Sequence, residues 1–213
     1  TLTRSRGRSR HAITVGSPLL SSACASMAAL MQSPSRRLAK LYVEFSGEQG
    51  IDSGGLTTSF YSRVMQAAMH ELFETCDTGL YLPRADADPQ QLKAVGFILA
   101  RALLDERVVS FPVPLLVWRS LWHDGAIKVS MRDIKSFDTG TSRMLELMLS
   151  YPLPEYDQDF AEFGEPARGV TLDNVHEYVQ RRVQYHLVDS RAASLQALRA
   201  GFRALEELWV QLS

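Results

Sequence analysis

The chain has 213 residues, of which 46% are hydrophobic and 22% charged, enough apolar material for one globular domain or two subdomains and too much for a disordered segment. With 23 Lys and Arg against 24 Asp and Glu, the net charge of −1 provides no general field for nucleic acid or an anionic lipid surface. No uninterrupted apolar run reaches the roughly 18 residues that a membrane-crossing helix needs, so no transmembrane helix is predicted.

Charge is nevertheless unevenly placed. Residues 1–40 carry Arg4, Arg6, Arg8, Arg10, Arg36, Arg37 and Lys40 and no acidic residue. Residues 1–11 read as a flexible basic arm, and apolar Leu19, Leu20, Met27, Leu30 and Met31 continue into the domain rather than ending a transit peptide. Between Ser17 and Met31 the pattern predicts a packed helix, which the SPSRR stretch breaks. Leu41, Val43 and Phe45 alternate with polar neighbours, the period of a half-buried strand. A glycine-rich loop follows, and then Leu56, Phe60, Val64, Ala68 and Leu72 recur every four residues and predict a helix over 56–73. Residues 77–90 read as a loop with an extended piece at Leu80 to Leu82. A helix over 92–104 follows, and Gly96 inside it implies close packing. Pro112 and Pro114 suit the first turn of a helix that reaches Trp122. A further helix is expected from Ser142 to Leu149, ahead of Pro152 and Pro154. Asn174 with Glu177 resembles a capping box opening a helix through Leu187, and a last helix places Leu195, Leu198, Phe202, Leu205 and Leu208 on one side. Helices dominate this pattern.

Several sites of chemistry are disfavoured. The loop from Gly47 to Gly55 clusters glycines, but no Lys follows them as in a phosphate-binding loop, and Glu48 and Asp52 would repel an anion. Its glycines Gly50, Gly54 and Gly55 and the capping-competent Asp52 and Ser53 read instead as a structural loop between strand and helix. His70-Glu71 and His176-Glu177 each begin like a zinc-protease helix, yet Glu74 and Gln180 stand where the second histidine is required. Neither a metal site nor a cofactor is predicted. Cys24 and Cys76 have no spacing motif and read as inert, reduced thiols of a cytoplasmic or nuclear protein. The apolar surplus at Met144, Leu145, Met148, Leu149, Tyr151, Leu153 and Tyr156 is consistent either with the core or with a groove for a partner.

Four segments occur in an order and spacing that resemble the N-terminal lobe of HECT-type ubiquitin-protein ligases: LYVEFSGEQGIDSGGL, LKAVGFILARAL, VTLDNVHEYV and RAGF. The resemblance implies an α+β, mostly helical lobe over residues 12–213, with a large helical subdomain and a smaller one, about 125–178, that receives a ubiquitin-conjugating enzyme. It further implies that ubiquitin is held as a thioester on a cysteine of a separate C-terminal lobe, expected to be absent from this chain, and then passed to a substrate lysine. The parent protein would thus be a ubiquitin-protein transferase, this chain would be inactive alone, and other domains would select substrates. By position, Tyr178 matches the family's aromatic contact with the conjugating enzyme and is the expected anchor, with Met144, Leu145, Met148 and Tyr151 as groove walls. Gly96-Phe97 followed by Ala100 departs from the family's Gly-Arg and second glycine. The alternative is a non-catalytic scaffold or adaptor that keeps the same architecture.

Overall fold

A computed structural model of the chain describes residues 10–47, 55–123, 125–151 and 153–206. The fold is α+β and mostly helical, as the resemblance implies, with three two-stranded sheets among the described residues. The chain divides into two compact units, one formed by Thr1–Phe73, Ala87–Phe111 and Gln196–Ser213, the other by Glu74–Asp86 and Pro112–Leu195.

In the first unit, β1 (Arg10–Val15), α1 (Leu19–Met31) and β2 (Lys40–Phe45) form a strand–helix–strand crossover, with the strands parallel and paired from Arg10 with Lys40 to Val15 with Phe45. Arg10 and His11 therefore belong to a strand rather than to the expected arm, whose remaining residues lie outside the described ones. Alternation buries Ile13 and Val15 on β1 and Leu41, Val43 and Phe45 on β2. The helix α2 (Gly55–Leu72) buries Phe60, Val64, Ala68 and Leu72 on the anticipated stripe. Gly55 opens this helix, while Gly50, Asp52 and Gly54 of the expected loop lie outside the described residues.

The helix α3 (Pro89–Leu104) starts three residues earlier than expected because Asp88 caps it, its carboxylate accepting the Gln90 N–H at 2.8 Å, and Pro89 suits the first turn. Gly96 lies on this helix where a Cβ would come within 1.9 Å of the Leu198 carbonyl oxygen, and one on Gly201 would come within 1.7 Å of the Lys93 carbonyl oxygen. Two glycines, one on each helix, thus let α3 meet the later turns of α8 (Ala192–Phe202) backbone to backbone. Beneath the predicted apolar face of α3 sits a fully buried arginine. Arg101 donates to the carbonyls of Arg37 and Ala39 at 2.8 Å each and pairs with Asp105 at 2.9 Å, and Asp105 also accepts from the Tyr61 hydroxyl at 2.7 Å. The expected last helix ends at Phe202, a short 3-10 turn (Arg203–Leu205) follows, and Leu208 lies outside the described residues.

The second unit begins inside β3 (Phe73–Thr75), which pairs with β4 (Tyr81–Pro83), and continues with α4 (Leu115–Trp122), α5 (Met131–Phe137), α6 (Thr139–Ser150), β5 (Glu155–Asp159), a 3-10 turn (Phe160–Phe163), β6 (Gly169–Thr171) and α7 (Val175–Leu187). The approximate range 125–178 falls within this unit. Pro114 immediately precedes α4, but Pro112 stands outside the helix and its carbonyl accepts the Tyr81 N–H at 2.9 Å. The strands β5 and β6 are antiparallel, pairing Glu155 with Thr171 and Asp159 with Gly169. Here too a buried arginine ties segments together: Arg191 reaches Glu74 at 2.7 Å and the carbonyls of Pro83 and His186 at 3.0 Å each.

Candidate functional site

The residues singled out for partner contact lie on α6, its exit and α7. A capping pair sets the start of the preceding helix, α5: the Ser130 N–H and hydroxyl both donate to Asp133 at 2.9 Å. Asp138 then caps α6, accepting the Thr141 N–H at 2.8 Å and its hydroxyl at 2.7 Å, so the helix begins three residues before the sequence pattern suggested.

Along α6 two faces separate at helical spacing. Ser142, Leu145 and Met148 point inward and are buried. Met144, Leu147 and Tyr151 face outward at 40%, 51% and 73% exposure, and Leu153 beyond the helix is 54% exposed. The Tyr156 hydroxyl locks this exit, donating to the Met148 carbonyl at 3.1 Å and accepting the Leu153 N–H at 2.8 Å. Of the expected groove walls, Met144 and Tyr151 are therefore surface residues, whereas Leu145 and Met148 belong to the core. Leu147, absent from the expected set, completes the outward stripe.

Tyr178 is a correction of a different kind. It is only 1% exposed, packed edge-on against Phe160 at 5.7 Å between ring centroids and at a tilt against Phe163 at 5.5 Å. Its spacing on α7 joins it to the inward row Val175, Val179 and Val183, so a residue read as the surface anchor is an aromatic core residue. The hydroxyl donates to Glu162, whose other oxygen pairs with Arg182 at 2.8 Å. Burial first, then the hydrogen bond and charge of Glu162, push the phenol up and keep it neutral. The predicted capping box of α7 does not close: the Asn174 amide oxygen accepts the Thr171 N–H at 2.8 Å, while Glu177 grips the Arg168 guanidinium at 2.7 and 3.0 Å. Arg168 also lies over the Phe160 ring at 3.8 Å.

On another side of α7, an open groove of about 760 Å³ runs between Lys128–Met131 and the row Glu177, Gln180, Arg181 and Gln184. None of the expected contact residues lines it. His186, near the end of α7, places Nε2 3.4 Å from Asp138, and burial, reinforced by Arg191, holds its imidazole below the ordinary 6.5.

Neither cysteine has the surroundings of a nucleophile. Cys24 is buried, its thiol pushed up to about 12 by burial and then by the Asp88 and Glu71 charges. Burial also raises Cys76, against a hydrogen bond from the Asp77 backbone that lowers it, and the charges of Asp138 and Asp77 add to the rise. The latter three residues bring one ligand atom each within 4.8 Å of one another, a cluster that sequence spacing hides because Asp138 is distant along the chain. Both carboxylates are engaged, Asp138 with Thr141 as described and Asp77 with the Thr139 N–H and hydroxyl.

A model of the HECT domain (ubiquitin-transferase) family matches residues 58–209. The chain belongs to the HECT family. Curated HECT relatives align over most of it: the E3 ubiquitin-protein ligase TOM1-like of Neurospora crassa is 28% identical over 81% of this chain and 5% of that protein. The E3 ubiquitin-protein ligase ptr1 of Schizosaccharomyces pombe is 30% identical over 78% of this chain and 6% of its own length. The E3 ubiquitin-protein ligase RSP5 of Emericella nidulans is 27% identical over 83% of this chain and 24% of its own. The chain thus spans between 5% and 24% of these HECT relatives.

Proposed function

We propose that this chain is the part of a HECT-type ubiquitin-protein ligase that docks a ubiquitin-conjugating enzyme, and that thioester chemistry belongs to a cysteine other than Cys24 or Cys76. The observation that carries the reading is the outward stripe of Met144, Leu147, Tyr151 and Leu153, large apolar side chains held open on a helix whose opposite face is already packed. Large apolar side chains exposed to this extent leave apolar area open to a partner, and Met and Tyr are favoured at interfaces. Docking brings the carrier's thioester within reach of an acceptor thiolate, which attacks the carbonyl carbon, expels the carrier thiol and later yields ubiquitin to a lysine amine. The contribution of this chain to that relay is binding and orientation. The raised thiols of Cys24 and Cys76 support placing the nucleophile elsewhere.

Calorimetry or NMR titration of the chain against a panel of conjugating enzymes tests the reading. At least one should bind, and Leu147→Ala with Tyr151→Ala should weaken it by about 2 kcal/mol, roughly 30-fold, with an unchanged unfolding temperature. No binder in the panel, or a binder indifferent to both substitutions, refutes the docking role. A reducible ubiquitin adduct on Cys24 or Cys76 after incubation with a charged conjugating enzyme refutes the second half.

A further inference from the structure

The uneven charge of the sequence has a structural counterpart that the docking role does not use. On β1 and β2 the residues Ile13, Val15, Leu41, Val43 and Phe45 are buried, so Arg10, Ala12, Thr14, Lys40, Tyr42 and Glu44 share the opposite face. That face is open, with Tyr42 half-buried and the other five exposed, although parallel sheets are as a rule covered on both sides. Arg10 and Lys40 are partners in the strand register, and both cations lie over the Tyr42 ring, 5.2 and 5.7 Å from its centroid.

Arg36, exposed on the turns leading into β2, adds a third cation at this end. Its charge, with that of Arg101, reinforces burial in holding the His11 imidazole below the ordinary 6.5. Among the described residues Arg10, Arg36 and Lys40 enter no ion pair, in contrast with Arg101, which Asp105 holds at 2.9 Å. Glu44 is the one acidic side chain of the open face, and it stands four residues beyond Lys40, about 13 Å along the strand. In the sequence Arg4, Arg6 and Arg8 lead directly into the basic end.

We infer that the basic end of the β1–β2 face binds the phosphate backbone of nucleic acid. This site is separate from the docking stripe, and the near-neutral charge of the whole chain conceals it. Guanidinium groups suit phosphate because their planar donors meet its oxygens in pairs. Apart from Tyr42, whose ring carries the two cations, the face has no large apolar side chain. It therefore lacks the anchor that dominates contacts between folded proteins, and the apolar insertion that a basic patch needs beside it for stable membrane attachment. Phosphate contacts by themselves carry sequence-independent binding to nucleic acid. Arginine interleaved with Ser and Gly, as in Arg4-Ser5-Arg6-Gly7-Arg8-Ser9-Arg10, is a composition that tracks such a backbone.

Fluorescence anisotropy of a labelled oligouridine titrated with the full chain tests the inference. Each phosphate neutralised on a single strand contributes about −0.7 to the slope of log K against log salt, so the three cations of the face and the three leading arginines give about −4. The triple substitution Arg10→Gln, Arg36→Gln and Lys40→Gln should bring the slope to about −2 and weaken binding at least about tenfold at about 0.05 M salt. The unfolding midpoint should not change, because all three side chains are exposed.

An oligouridine left unbound at about 0.05 M salt, or a triple variant whose affinity and slope match those of the parent chain, overturns the inference. Neither result bears on the docking role, which is read with conjugating enzymes and Leu147. Phosphatidylserine vesicles or a Glu-rich peptide bound more tightly than the oligonucleotide at the same salt, and lost in the triple variant, overturn nucleic acid as the occupant.

Discussion

Replacing Tyr178 with alanine separates a core residue from a docking residue. The side chain is 1% exposed and wedged between Phe160 and Phe163, and a cavity left by a buried aromatic costs about 3–5 kcal/mol. The low end of that range is not expected. The Glu162 carboxylate loses its phenol donor as well, although Arg182 remains to hold it, and the edge-on contact with Phe160 contributes about 0.5–1.5 kcal/mol beyond its area. For a chain of this length each 1 kcal/mol lowers the midpoint by about 2–4 °C, so Tyr178→Ala should lower it by about 8–20 °C. Tyr178→Phe keeps the packing and loses one hydrogen bond, costing about 1 kcal/mol. Thermal unfolding followed by circular dichroism gives both values, and titration with a conjugating enzyme at a temperature where Tyr178→Phe is fully folded gives the second half of the answer: its affinity should equal that of the parent chain. A Tyr178→Ala chain of unchanged midpoint that fails to bind would refute the assignment of this residue to the core and restore it as a surface anchor.

Two further expectations concern the remaining structure. Gly201→Ala should lower the unfolding midpoint markedly, by about 3 kcal/mol, because a Cβ 1.7 Å from the Lys93 carbonyl oxygen forces α3 and α8 apart, and helix propensity returns only about 1 kcal/mol; differential scanning calorimetry measures it, and an unchanged or raised midpoint would contradict the close approach. His186 makes stability depend on pH: its folded-state value lies below the ordinary 6.5, so the unfolded chain takes up the proton first, and its contribution is whole above pH 6.5 and declines as the pH falls through that value. Asp138 and Glu74 oppose the shift, Arg191 and Arg182 reinforce it, and His186→Gln should flatten the fall of the unfolding midpoint as the pH drops below 6.5.

The periodic elements were legible in the residues themselves. Alternation at Leu41, Val43 and Phe45 placed β2, and the every-fourth-residue stripe from Phe60 to Leu72 placed α2, because burial of one face imposes its period on the sequence. Gly96 announced a close contact without naming its partner, since the partner glycine, Gly201, lies far along the chain. The helix α5 escaped notice because seven residues offer too little periodicity, although Ser130 and Asp133 at capping spacing were a usable signal.

Periodicity thus located most of the helices, and the ordered HECT-like segments pointed to the α+β, mostly helical class and the family, since both are written in local patterns and residue order. Which apolar residues face outward was settled by folding alone. The helix α6 carries Met and Leu on both faces, so its sequence permits either to be buried; the fold packs Leu145 and Met148 inward and leaves Leu147 and Tyr151 outside. Tyr178 shows the same limit from the opposite direction: its row on α7 faces Phe160 and Phe163, residues from another part of the chain, and that distant packing turns a surface expectation into a core.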